Sequence, residues 1–220
     1  MSTTDRFKDA PWMTDKLPTI LIGGVGGIGG NTLYCLAKTI PGEYYIIDPD
    51  TVVEHNVGTQ FFKKSDIEKS KVGALHRTMS EYSDAKIHAI QQMMDSYCKM
   101  PIMISAFDNM EARKYSFELW KSQEERELFI DGRLRATLYE VYVVTKGREE
   151  EYERTLFDDA DVDEGPCTFK QTAHFGMLIG ARITQMVTNY LTNKALGEQV
   201  CQLPFFIREI GDAVLMETKE

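Results

Sequence analysis

Short apolar, β-branched runs alternate with amphipathic stretches along the first 120 residues of the chain. Thr19-Ile20-Leu21-Ile22 is bounded by Pro18 and a cluster of glycines, a pattern expected of a buried strand. After the glycines, Ile28 to Ala37 carries Leu33, Leu36 and Ala37 at helical spacing, and Pro41-Gly42 stops it. Glu43-Tyr44-Tyr45-Ile46-Ile47 reads as the second strand and ends at Asp48, completing a β-turn-α-β unit. Ser65 with Glu68 three positions later predicts a capped helix start, followed by Ile67, Leu75, Met79 and Tyr82 on an apolar stripe. Lys86 to Ile90 alternates polar and apolar residues and predicts a third strand with one more exposed face. Pro101 to Ala106 predicts a fourth, and Met110 to Trp120 the helix after it.

The second half is patterned differently. Glu127 to Ile130 and Thr137 to Val144 predict two more strands. Residues 146–166 form an acidic crossing, densest from Arg148 to Glu164, which reads as a solvated loop. Thr172 to Leu191 returns to helix, with Met177, Ala181, Ile183, Met186, Val187 and Tyr190 as packing positions, and Pro204 to Arg208 adds a late strand. The expected fold is α/β: one Rossmann-like three-layer domain over residues 1–220, with a mostly parallel sheet and antiparallel strands toward the C-terminus.

Composition narrows the function classes. At 220 residues, 43% apolar and 27% charged, the chain can bury one sizeable core. A formal charge of -9 opposes long-range attraction to nucleic acid or an anionic membrane. No run reaches the roughly 20 apolar residues of a bilayer span, and the first residues lead into no signal-peptide core, so a cytoplasmic location is expected. Cys35, Cys98, Cys167 and Cys201 form no C-x-x-C pair, which argues against structural zinc and for reduced thiols.

The first chemical feature is Gly24-Val25-Gly26-Gly27-Ile28-Gly29, a G-x-G-x-x-G between a predicted strand and helix. Such a turn lets backbone approach closely while helix N-terminal amides attract phosphate oxygens, although it can equally be a purely structural turn. Asp48, at the end of the second strand, is correctly spaced to hold ribose hydroxyls; Asp50 can contribute instead or be a plain loop acid.

The glycine motif, Ile47-Asp48-Pro49-Asp50-Thr51-Val52-Val53-Glu54, Asn56, Gln60, Asp66 to Lys71 and Asp108-Asn109-Met110-Glu111-Ala112-Arg113 follow one another at specific intervals. Over residues 19 to 135 this order resembles the superfamily of adenylyltransferases that activate ubiquitin-like and sulfur-carrier proteins, including those of thiamine and molybdopterin biosynthesis. The resemblance implies ATP- and magnesium-dependent adenylylation of the C-terminal carboxylate of a small carrier protein or peptide, by a homodimer. It also implies a nucleotide site of Gly24, Gly26, Gly27, Gly29, Asp48, Asp50, Asn56, Gln60, Lys71 and Asn109. Lys71 would neutralise phosphate charge, Asp108 would bind magnesium, and Arg113 would support the site's architecture.

One departure bears on activity. The family's Asn-x-x-Arg-Gln segment is here Asn56-Val57-Gly58-Thr59-Gln60, and threonine cannot replace a five-donor guanidinium. Arg6, which the resemblance allows a partner copy to donate, and Arg133 and Arg135 are candidate substitutes. Cys167 follows the acidic crossing where the resembling family can carry a thiol that accepts the activated carrier, and an inert loop thiol is the alternative. Two other readings stay open: a nicotinamide or flavin oxidoreductase, and a noncatalytic adapter that keeps the nucleotide fold.

Overall fold

The computed structural model describes residues 5–14, 16–135, 138–158, 173–210 and 215–219. Its strands are β1 (Thr19–Gly23), β2 (Glu43–Ile47), β3 (Lys86–Ile90), β4 (Ile102–Ser105), β5 (Leu128–Arg135), β6 (Leu138–Thr145), β7 (Phe206–Ile210) and β8 (Leu215–Lys219). They form one sheet in the order β3-β2-β1-β4-β5-β6-β7-β8. From β3 to β5 neighbours run parallel, and from β5 onward they run antiparallel.

The helices are α1 (Gly27–Thr39), α2 (Glu54–Val57), α3 (Lys71–Ser80), α4 (Met110–Lys121), α5 (Glu149–Glu153) and α6 (Ala173–Leu196). Alternating strand residues feed two cores. Ile20 and Ile22 of β1 join Leu33, Leu36, Leu75, Ile179 and Ile183 on the α1, α3 and α6 side. Leu21 joins Met103, Phe117, Trp120, Phe129 and Tyr152 on the α4 and α5 side. Central parallel strands covered on both faces are apolar at nearly every position, which is why β1 and β4 read as unbroken runs. The result is the expected Rossmann-like three-layer arrangement with an antiparallel second half.

Several boundaries differ from the sequence reading: α6 runs on to Leu196 and the late strand is Phe206–Ile210, and three further differences bear on the site. Ser65 opens no long helix: Lys64–Asp66 is a single 3-10 turn, closed by the Asp66 carboxylate accepting from the Lys63 amide at 3.1 Å. Glu68 then takes a φ of 67°, through which a right-handed helix cannot continue. The helix starts at Lys71 instead, where Ser70 Oγ accepts from the Gly73 amide at 3.3 Å. The fifth strand runs on to Arg135 because it pairs with β6 along its whole length, Leu128 opposite Thr145 through Arg135 opposite Leu138. The described start of the acidic crossing is the short helix α5, whose Tyr152 is fully buried.

Helix α6 is seated on α1 through glycines. A Cβ on Gly176 would stand 2.6 Å from the Gly27 carbonyl oxygen, and one on Gly180 2.8 Å from the Thr32 amide nitrogen. This close approach sets the first turns of α6 beside the glycine turn. Among the described residues, no helix is long and apolar enough to cross a membrane.

Candidate active site

A cleft of about 710 Å³ opens at the carboxyl ends of β1, β2 and β4, the usual ligand position where an open α/β sheet reverses its winding. Its floor is the glycine turn. Gly24 has a φ of 78°, its amide donates to the Ile47 carbonyl at 2.9 Å, and a Cβ there would meet the Ala106 carbonyl oxygen at 2.8 Å. Gly26 caps α1 without any side-chain hydrogen bond, so the first amides of the helix keep their capacity for an anion. Gly24, Gly26 and Gly27 line the cleft, whereas Gly29 lies beneath it, where a Cβ would collide with the Gly24 carbonyl oxygen at 1.9 Å.

The two acids after β2 have different surroundings. Asp48 is buried, its Oδ2 accepting from the Val25 amide at 2.8 Å and its Oδ1 from the Asp50 amide at 2.9 Å. It locks the glycine turn to the end of β2 and keeps one acceptor site on each oxygen. Asp50 is open to the cleft and its Oδ2 lies 2.7 Å from Lys71 Nζ. The bridge between Thr51 and Ser70, with the Lys71 amide on the Asp50 carbonyl at 3.0 Å, brings this pair together. Lys71, mostly buried at the first position of α3, turns its ammonium to the cleft wall rather than to solvent.

The opposite wall begins at Asp108. Asn109 caps α4 through Oδ1, which accepts from the Ala112 amide at 2.8 Å, and its Nδ2 reaches Asp108 Oδ1 at 3.3 Å. Asp108 itself is exposed on the cleft. Gln60 covers the glycine turn from the α2 side, about 3.7 Å from where a Gly26 side chain would begin, and its Oε1 is buried with no hydrogen-bond partner.

Other residues from the sequence reading stand elsewhere. Asn56 does not line the cleft; its Oδ1 accepts from the Val53 amide at 2.9 Å and closes α2. Thr59 directs its hydroxyl to the His55 carbonyl at 3.3 Å. Arg133 is held by Asp131 at 2.6 Å and by the Thr155 carbonyl and hydroxyl, one bond from each of its three nitrogens, and it does not line the cleft. Arg135 ends β5 exposed, and Arg6 is exposed in the segment before β1; neither lines the cleft. Cys167 lies outside the described residues. The described chain stops at Asp158, ion-paired with Lys114 of α4, and resumes at Ala173 with α6.

Met93, Met94, Phe107, Tyr115 and Leu134 supply an apolar wall that the sequence reading missed, because they come from four separate loops and elements. Also missed was the buried Asp131, which binds Arg113, Arg133 and Tyr152. Its only sequence signal was an acid directly after the predicted strand that ends at Ile130.

Among the side chains lining the cleft, Asp48, Asp50, Asp108 and Glu111 outnumber Lys71 and Arg113, and Arg113 is committed to Asp131. No described group of three or more His, Cys, Asp or Glu residues could hold a metal ion alone. This donor set fits a magnesium ion that arrives on a polyphosphate and takes one carboxylate from the protein.

The pattern that defines the ThiF family matches residues 16–206. Ubiquitin-activating enzyme E1-like of Saccharomyces cerevisiae is 29% identical over 104 residues, covering 43% of this chain and 16% of that protein. SUMO-activating enzyme subunit uba-2 of Caenorhabditis elegans is 27% identical over 162 residues, covering 70% of this chain and 28% of that protein. The chain thus spans less than a third of the length of either relative. Among solved structures, E. coli MccB with MccA-N7isoASN superposes with a TM-score of 0.72 at 17% identity, over 100% of this chain and 72% of the other. MccB with ATP gives 0.68 at 17% identity, over 99% and 65%. At that identity the superpositions establish the shared fold. Because the family pattern runs from before β1 to the first residue of β7, through the glycine turn and the Lys71 cleft, the chain belongs to the ThiF family.

Proposed function

We propose that this chain adenylylates the C-terminal carboxylate of a peptide or a small ubiquitin-like or sulfur-carrier protein, using ATP and magnesium. The observation that carries the reading is the convergence on one cleft of two groups suited to phosphate, the uncapped α1 N-terminus and Lys71, with one suited to its counter-cation, Asp108. Solved MccB structures with ATP and with MccA-N7isoASN, and the names of the ubiquitin- and SUMO-activating relatives, support the substrate classes.

In this reading the glycine turn and α1 amides take phosphate oxygens, Asp48 and Asp50 receive ribose hydroxyls, and Gln60 and Asn109 complete the polar rim. A magnesium ion on the polyphosphate would be held by Asp108 and would supply charge neutralisation there. The substrate carboxylate, ionised near neutral pH, attacks the α-phosphorus in line. A carboxylate oxygen-phosphorus bond forms, the bond from the α-phosphorus to the bridging oxygen breaks, and its electrons leave on pyrophosphate. Lys71 stabilises the phosphate charge that develops. No protein base is needed.

Asn56 acts through the shape of α2 rather than by touching nucleotide. Arg6 of a partner copy, in a homodimer, is the remaining source of a phosphate-side cation from the N-terminal segment, and Cys167 is the acceptor thiol for an activated carrier. A cytoplasmic, reducing compartment belongs to the same reading. A noncatalytic nucleotide-binding adapter is the second reading, favoured by Thr59 at the position of the family's arginine.

The deciding experiment is calorimetric titration with ATP with and without magnesium, beside NAD⁺, followed by pyrophosphate release with candidate peptides and carriers. ATP-selective, magnesium-dependent binding, weakened about tenfold or more in Asp108→Ala, is expected, that factor being about 1.4 kcal/mol. Binding of NAD⁺ in preference to ATP rejects the proposal. ATP binding without pyrophosphate release from ATP in the presence of any carboxylate substrate leaves the adapter.

A further inference from the structure

The acidic crossing is fastened along one side of α4, the helix whose N-terminus carries Asp108 and Asn109. Arg113, Phe117 and Lys121 recur every four residues and so share a face of that helix. Lys121 pairs with Glu153 of α5, and the Phe117 ring lies 4.5 Å from that of Tyr152. Arg113 meets Tyr152 through Asp131, and neighbouring Lys114 pairs with Asp158. From Glu153 to Asp158 the crossing therefore climbs from the C-terminal end of α4 toward the cleft.

The polar end of this strap reaches a cleft loop through hydrogen bonds. Arg113 donates to Asp131 Oδ1, to the Gly132 carbonyl at 3.0 Å, and, with its other terminal nitrogen, to the Phe107 carbonyl. Asp108 follows directly. Asp131 is completely buried, and its other oxygen accepts from Arg133 at 2.6 Å and from the Tyr152 hydroxyl at 2.9 Å. Thr155, further along the crossing, fixes Arg133 through its carbonyl at 3.0 Å and its hydroxyl at 3.1 Å. A buried network of this kind holds one geometry only while every member is satisfied.

We propose that Tyr152 is a positioning residue for the cleft: through Asp131 and Arg113 it holds the Phe107–Asn109 loop, and with it Asp108, in the geometry that magnesium-nucleotide binding requires. The part played by magnesium rests on the proposed adenylylation; the hold on the loop does not. Tyr152 touches no reacting atom, and the crossing becomes part of the cleft's wall structure although α5 lies outside its lining.

Tyr152→Phe keeps the ring against Phe117 and removes only the hydroxyl, so it is the direct test. Backbone hydrogen exchange is compared over residues 106–112 and, as a control, over α3. Exchange at 106–112 should quicken about fivefold, the factor for loss of one buried hydrogen bond, with α3 unchanged. The magnesium concentration for half-maximal ATP binding should rise by a similar factor while ATP stoichiometry stays the same. Unchanged exchange at 106–112, or equal quickening in α3, overturns the proposal, since a residue that merely stabilises the fold would act on both. Unchanged magnesium dependence with a loosened loop also overturns it. Should Tyr152→Phe fail to fold, Thr155→Val, which removes one acceptor from Arg133, is judged by the same measurements. Failure of the intact protein to bind ATP at saturating magnesium rejects the adenylylation reading instead, and the exchange comparison still decides whether Tyr152 holds the loop.

Discussion

Glu68 shows how a single backbone angle defines the approach to Lys71. Its φ of 67° costs a side-chain-bearing residue about 1–2 kcal/mol, yet its amide, on the Val52 carbonyl at 2.8 Å, helps zip the segment before α3 onto the segment after β2. Glu68→Gly relieves that cost but widens the unfolded ensemble, so a net gain of about 0.5–1 kcal/mol is expected in urea unfolding. A loss would show that the glutamate side chain contributes more than its backbone angle costs. The places of some cleft residues were legible in the sequence: Asp48 from its strand end, Lys71 and Asp108 from spacing and resemblance. Tyr152 and Asp131 were not, because their partners lie 21 positions apart and on different elements. A buried tyrosine inside an acidic run carries no periodic signal.

Element boundaries followed the same division. β1, β2, β3 and α4 were legible to within a residue or two, since central parallel strands and well-capped helices write their patterns locally. The start of α3 was not, because two serines, Ser65 and Ser70, both have the chemistry to cap and tertiary contacts select between them. Ser70 prevails because the chain on either side is already fixed to the end of β2 by the Thr51–Ser70 bridge and the Lys71 amide. Ser70→Ala should therefore destabilise the chain by about 1 kcal/mol, read from the urea midpoint, whereas Ser65→Ala should change it by less than half as much. Equal losses at both serines would contradict the observed cap. β8 was not anticipated, and β5 proved longer than its apolar run, because its antiparallel pairing with β6 carries on through polar residues such as Arg133, opposite Glu140.

At the scale of the whole molecule, Asp131 stands where the sheet changes from parallel to antiparallel, and α4, β5 and α5 meet on its carboxylate. Burial opposes its ionisation, but the pull of Arg113 and Arg133 and the hydrogen bonds from Arg133 and Tyr152 outweigh this and hold its pKa below the ordinary aspartate range. A carboxyl lowered in the folded state stabilises the fold fully above its unfolded pKa, near 3.9, and loses that contribution as pH falls through the folded value. Urea midpoints should accordingly fall on acidification below about pH 4. Asp131→Asn should lose about 3–5 kcal/mol at neutral pH by leaving two guanidiniums buried without their anion, and should show a shallower acid limb. An identical acid limb in the variant would exclude Asp131 as its source. The opposite end of the sheet has its own consequence. β3 is an outermost strand of only five residues, and Lys86 and His88 on it both meet Glu43 of β2 at 2.7 Å. Hydrogen bonds from Lys86 and His88 keep the Glu43 carboxyl below its usual range, so this knot of charge persists into mild acid. Another chain seeking to extend the sheet there would meet a short, charged border, which discourages edge-to-edge aggregation between molecules.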